Sequence, residues 1–132
     1  MNRLEPQLDE AALGAMSSLA LAHVGDAVYE LLTRTELCRR GRLTSRELHR
    51  ETIRYVSAPA QARACAKLLP MLTPEESAVF RRARNAKVHS APHGAAPGDY
   101  HAATALEALF GWLYLKGMRQ RLDELFTRLM EE

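Results

Sequence analysis

The sequence predicts an all-α fold, and three observations carry that expectation. Apolar residues recur at helical spacing in each long segment, capping signals precede several of those segments, and no stretch alternates apolar and polar residues as a half-buried strand would. In chain order, one long pattern runs from about Leu13 to Arg39, with Leu19, Val24, Val28, Leu31 and Leu32 near helical spacing, and Gly41 closes it. Thr44-Ser45-Arg46-Glu47 is a capping box, in which the Thr44 side chain accepts from the backbone of Glu47 and Glu47 reaches back. Ser57-Ala58-Pro59 starts a further helix, Ala60 to Leu69, which ends near Pro70. Thr73-Pro74-Glu75-Glu76 repeats the capping logic, with proline tolerated in the first turn because its missing donor would be unpaired there anyway. That helix is expected to reach about Lys87.

Residues 88–99 change character and hold Pro92, Gly94, Pro97 and Gly98. A loop of about a dozen residues is long for a helical domain and is a candidate functional loop. Helix resumes at about Asp99 or Tyr100, runs to Leu115 and breaks around Gly117, and a last amphipathic helix covers Arg119 to Met130.

The chain has 132 residues, of which 47% are hydrophobic and 26% charged. That size and composition predict one globular domain, 1–132, with an ordinary core. No apolar run reaches the roughly 18 residues of a membrane span. The start, Met1-Asn2-Arg3-Leu4-Glu5-Pro6, lacks the basic and apolar stretches of a signal peptide, so a cytoplasmic protein with no membrane partner is expected. Cys38 and Cys65 are the only cysteines and read as small buried side chains. Without a Cys-x-x-Cys pair, and with His89, His93 and His101 at no usual zinc spacing, a zinc site is not expected.

The net charge of +2 conceals a division along the chain. Residues 1–33 carry one base and five acids, residues 34–87 thirteen bases and five acids, and residues 88–132 four bases and six acids. Arg46, Arg50 and Arg54 form one stripe at i, i+4, i+8, and Arg81, Arg82, Arg84 and Lys87 form a second cluster. The plainer reading is a pair of solvated helix faces. A basic middle between acidic ends also fits a polyanionic partner, to which arginine makes forked phosphate contacts.

Two acids stand where solvent does not obviously explain them. Asp26 follows Gly25 within Ala20-Leu21-Ala22-His23-Val24-Gly25-Asp26-Ala27-Val28, and Glu107 lies within Ala105-Leu106-Glu107-Ala108-Leu109-Phe110-Gly111. A carboxylate on an apolar helix is unfavourable unless paired with a cation. The nearby Gly25 and Gly111 each cost a helix about 1 kcal/mol against alanine, which suggests that something approaches closely there. Two carboxylates brought together by packed helices would suit a hard divalent cation such as magnesium. The alternative is a buried ion pair for each, with Arg81, Arg84 or Arg34. His23, three residues before Asp26, would share its face.

These residues resemble a family. Leu19 to Glu30 looks like the helix that carries the catalytic aspartate of the ribonuclease III domain, and Ala105 to Leu115 looks like its second acidic motif. Tyr55-Val56-Ser57-Ala58-Pro59-Ala60-Gln61-Ala62 and Arg84-Asn85-Ala86-Lys87 are similar to the Mini-ribonuclease III subfamily, which consists of the catalytic domain without an appended double-stranded-RNA-binding domain. The resemblance spans about residues 17–118 and implies a bundle of six to seven helices. It implies a homodimeric, magnesium-dependent endoribonuclease that cuts double-stranded RNA and matures the ends of 23S ribosomal RNA, with no DNA substrate expected. Asp26 matches the catalytic, metal-binding aspartate and Glu107 the metal-binding glutamate. Two further acids of the wider pattern are replaced by Ala22 and Thr104, which predicts weak metal binding before RNA arrives.

Recognition of the duplex would rest on Arg81, Arg82, Arg84, Asn85, Lys87 and His89, with Arg46 and Arg50 on the earlier helix. The stretch Val88-His89-Ser90-Ala91-Pro92-His93-Gly94 departs from the subfamily in lacking lysine, and Ala83 stands for an expected glycine. Two other readings compete: a non-catalytic module that binds structured RNA or ribosomal particles, and a helical protein-interaction adaptor.

Overall fold

A computed structural model of the protein describes residues 1–86 and 96–131. Among these residues there are seven α-helices, one 3₁₀ turn and no strand. The helices are α1 (Glu10–Gly14), α2 (Ser18–Arg40), α3 (Ser45–Val56), α4 (Ala58–Leu68), α5 (Pro74–Arg84), α6 (Pro97–Lys116) and α7 (Arg119–Met130), with the 3₁₀ turn at Leu69–Met71.

Local chemistry accounts for most boundaries. Both threonine capping boxes form, on Thr44 with Glu47 and on Thr73 with Glu76. Gly41 ends α2 at φ +75° and Gly117 ends α6 in the left-handed region at φ +86°, where an L side chain would be strained. The expected single helix from Leu13 is two. Asp9 caps α1 by accepting from Ala12 N at 2.8 Å, and Ser17 caps α2 by accepting from Ala20 N at 3.1 Å. Leu13 and Leu21 both face the core, so apolar spacing continues across a break that the serine hydroxyl makes.

Three other limits shift. The helix expected from Ala60 starts at Ala58, because Pro59 belongs in the first turn. The helix expected to reach Lys87 stops at Arg84 with Asn85 as its cap. Pro97 opens α6, so 97–99 belong to a helix and not to the expected loop. Residues 87–95, the remainder of that loop with its flanking Lys87, lie outside the described residues.

The central element is α6, which packs against α2, α4 and α5, with α7 laid across α4 and α6. Its buried residues face every direction, as expected of a helix enclosed by neighbours. Leu106, Leu109, Phe110 and Leu113 are completely buried, each worth about 1.5–3 kcal/mol of transfer free energy. The Phe110 ring meets Tyr29 of α2 at 5.3 Å between centroids. No described helix is long and apolar enough to cross a membrane.

Candidate active site

The backbones of α2 and α6 come very close where the two helices cross. A Cβ on Gly25 would sit 1.6 Å from the Glu107 carbonyl oxygen and 2.8 Å from Gly111 N. A Cβ on Gly111 would sit 2.0 Å from the Leu21 carbonyl oxygen. Neither position admits any side chain, so the two backbones touch. The approaching object that the glycines suggested is thus the partner helix itself.

This contact brings the two acids together. Asp26 follows Gly25 on α2, and Glu107 presents its own carbonyl to Gly25 from α6. The carboxyl of Glu107 is half-buried and its pKa is pushed up to about 8. Burial is the largest cause, followed by the like charge of Asp26 and by a hydrogen bond shared with Asp26. Asp26 itself is exposed, so the sequence-based expectation of two acids held in an apolar environment applies to Glu107 alone. Tyr29, one turn beyond Asp26, is buried, and its hydroxyl is held neutral well above the usual tyrosine range by burial, then by Cys65 and Glu107.

Ion pairing does not explain either acid. Arg34 reaches Glu30 at 3.6 Å on the surface, while Arg81 and Arg84 are exposed on the last turn of α5. Among the described residues no cation bridges to Asp26 or Glu107, and no three of His, Cys, Asp and Glu converge on one point. Ala22 and Thr104, the two replaced acids, are buried at 7% and 5% exposure. The donor set is therefore two carboxylates, hard oxygen ligands suited to a divalent cation that completes its shell with water or substrate oxygens.

The other candidate residues are spread over the surface. Arg46 and Arg50 are exposed on α3, and Arg54 of the same stripe is tied to Glu51 at 3.0 Å. Arg81, Arg82, Arg84 and Asn85 are exposed at the end of α5, and His23 is exposed on α2. Lys87, His89 and His93 lie outside the described residues. Cys38 is exposed, contrary to expectation, because it sits in the last turn of α2; Cys65 is buried, with its thiol pushed up to about 12 by burial.

Sequence reasoning assigned no role to Gln61. It lies in the first turn of α4, 1% exposed, with its side chain beside the Glu107 carboxylate, whose pKa it lowers. Among the described residues its Nε2 nevertheless meets no acceptor in good hydrogen-bond geometry. Its place in the Tyr55–Ala62 motif was the only signal available.

Known proteins are similar to this chain in sequence and in fold. The sequence matches the Ribonuclease III domain family over residues 19–118. It is 50% identical to Mini-ribonuclease 3 of Symbiobacterium thermophilum over 80% of this chain and 82% of that one. It is 40% identical to Mini-ribonuclease 3 of a Thermoanaerobacter species over 89% and 85%. A crystal structure of a Fusobacterium nucleatum protein superposes with a TM-score of 0.81 at 27% identity, covering 89% of this chain and 95% of that one. With a matching fold, most of the chain inside the domain match and close relatives on either side of it, the chain belongs to the ribonuclease III family and is an endoribonuclease of its Mini-ribonuclease 3 branch.

Proposed function

We propose that this protein, acting as a single catalytic domain, hydrolyses phosphodiester bonds of double-stranded RNA with magnesium held by Asp26 and Glu107. The observation that carries the reading is the carboxylate pair at the α2–α6 crossing, which no described cation neutralises; burial first, and then the like charge of Asp26, hold the Glu107 pKa up at about 8. Two like charges in contact favour a shared proton, and a divalent cation in the same place would satisfy both. The residues present therefore fit the ion that the family resemblance implies.

Bound there, magnesium would lower the pKa of a water and neutralise charge on the phosphate as the bond breaks. The protein's own part is positional. Asp26, at the exposed edge, meets water and substrate first, while Glu107 is fixed behind it on the enclosed central helix. No side-chain nucleophile is needed, and the buried Cys65 thiol stays protonated and donates to the Ala102 carbonyl at 3.5 Å.

The exposed Arg81, Arg82, Arg84 and Asn85 on α5, with Arg46 and Arg50 on α3, suit contacts to phosphate and 2′-hydroxyl groups. Lys87 and His89 are assigned to RNA contact as well, and by the family resemblance we assign a homodimer as the working unit, the cytoplasm as its location and a base-paired 23S ribosomal RNA precursor stem as substrate.

The test is cleavage of such a stem with magnesium, with EDTA, and by Asp26→Asn and Glu107→Gln. Both strands are cut by wild type with magnesium, EDTA abolishes cutting, and each substitution lowers the rate by about 10³-fold or more, the scale of several kcal/mol of transition-state stabilisation. Undiminished cutting by Asp26→Asn would sink the assignment. Tight binding without cutting by wild type would favour the non-catalytic RNA-binding module, and the acids missing at Ala22 and Thr104 would then become the explanation.

A further inference from the structure

Gln61 is an unusual choice for its position. Its backbone N donates to the Ser57 carbonyl at 2.9 Å and so serves the start of α4, but the side chain has no such duty. It is 1% exposed and, among the described residues, its Nε2 has no acceptor in good geometry. Buried amide donors without partners are rare, because they lose water and gain nothing in return. Leucine or methionine would fill a similar volume without stranding a donor. Packing alone therefore does not account for a glutamine.

Its surroundings do. α4 lies along α6, and the Gln61 amide acts on the carboxyl of Glu107. Carboxylates that bind metals are themselves usually held by an outer hydrogen bond, which fixes the oxygen presented to the ion. A neutral donor suits that task better than a cation would. An arginine or lysine in its place would pair with Glu107 directly and compete with the metal for its charge.

We propose that Gln61 is a positioning residue, whose Nε2 donates to the Glu107 carboxylate when that carboxylate is turned to the cation. The proposal rests on the reading of Asp26 and Glu107 as metal ligands. It gives the unpartnered donor its acceptor in the metal-bound protein, and it makes α4 a third wall of the site beside α2 and α6.

Gln61→Leu and Gln61→Met both keep bulk and remove the donor. Thermal unfolding of each full chain, with wild type and Asp26→Asn alongside, is followed without metal and during titration with magnesium chloride in the absence of RNA. Both Gln61 variants melt at or above the wild-type temperature without metal, since a stranded donor is gone. Both need about 10- to 100-fold more magnesium for the same rise in melting temperature, and cleavage shows the same displaced requirement with its rate recovered at high magnesium. Magnesium curves that overlay wild type would overturn the proposal, as would loss of cooperative melting in both variants without metal, because Gln61 would then be structural. If Asp26→Asn loses the magnesium response while the Gln61 variants retain it, only the role of Gln61 falls. If Asp26→Asn responds like wild type, the metal reading falls and takes this role with it.

Discussion

Two glutamates withdrawn from water, Glu76 and Glu107, have opposite surroundings. Glu76 is 2% exposed at the start of α5, and Arg121 of α7 meets both its oxygens, at 2.8 Å each. Thr73 N donates to Oε1 at 2.9 Å, and Arg121 Nη2, the nitrogen that serves Oε1, also donates to the Met71 carbonyl at 2.7 Å. The Arg121 guanidinium is the main reason that the Glu76 carboxyl titrates below its usual range. Glu107 faces a carboxylate instead and titrates near 8. A buried acid whose two oxygens are both held by its own chain is a structural joint. One left facing its own kind awaits a ligand from outside.

Breaking the joint should have the largest effect on stability. Arg121→Ala leaves Glu76 buried without its counter-charge and is expected to cost about 3 kcal/mol, the low end for a broken buried pair because the Arg121 side chain is 17% exposed. Urea or thermal unfolding measures this, and a loss below about 1 kcal/mol would place Glu76 among ordinary surface caps. Gly25→Ala tests the other region. Its methyl would overlap the Glu107 carbonyl, so the crossing must open, at a cost of about 2 kcal/mol and with a higher magnesium requirement for cleavage.

The subtlest test is pH, where the two acids have opposite signs. The folded-state pKa of Glu107 lies above the ordinary 4.5, so folding binds its proton, and the metal-free protein loses stability as pH rises from about 4.5 through about 8. Glu76 is depressed, so its contribution is full at neutral pH and is lost as pH falls below the ordinary carboxylate range. Glu107→Gln should therefore melt close to wild type near pH 5 and a few degrees higher near pH 9, both in EDTA. A difference that does not change with pH would remove the charged pair as its cause.

What the sequence made legible divides along the same line. Asp26 and Glu107 stand out because acids are rare in runs of alanine, leucine and glycine, and that local contrast needs no tertiary information. Thr44 and Thr73 announce their helices because a capping box is complete within four residues. Glu76 was legible as a cap but not as a buried ion, since Arg121 lies 45 residues away and only packing brings it there. Gln61 was less visible still: an amide within a helix disturbs no pattern, and only its burial reveals it. The break at Ser17 hid because Leu13 and Leu21 continue the apolar rhythm on both sides.

The contact of Gly25 with Glu107 and Gly111 has one more consequence. The spacing of the two acids is set by main chain against main chain, with no side chain between to serve as a compressible shim. Repacking elsewhere in the core, around Leu125 or Phe126 for instance, can then soften the protein without rescaling its metal site. Robustness and catalytic geometry are separately adjustable in such a molecule, and drift in one need not drag the other with it.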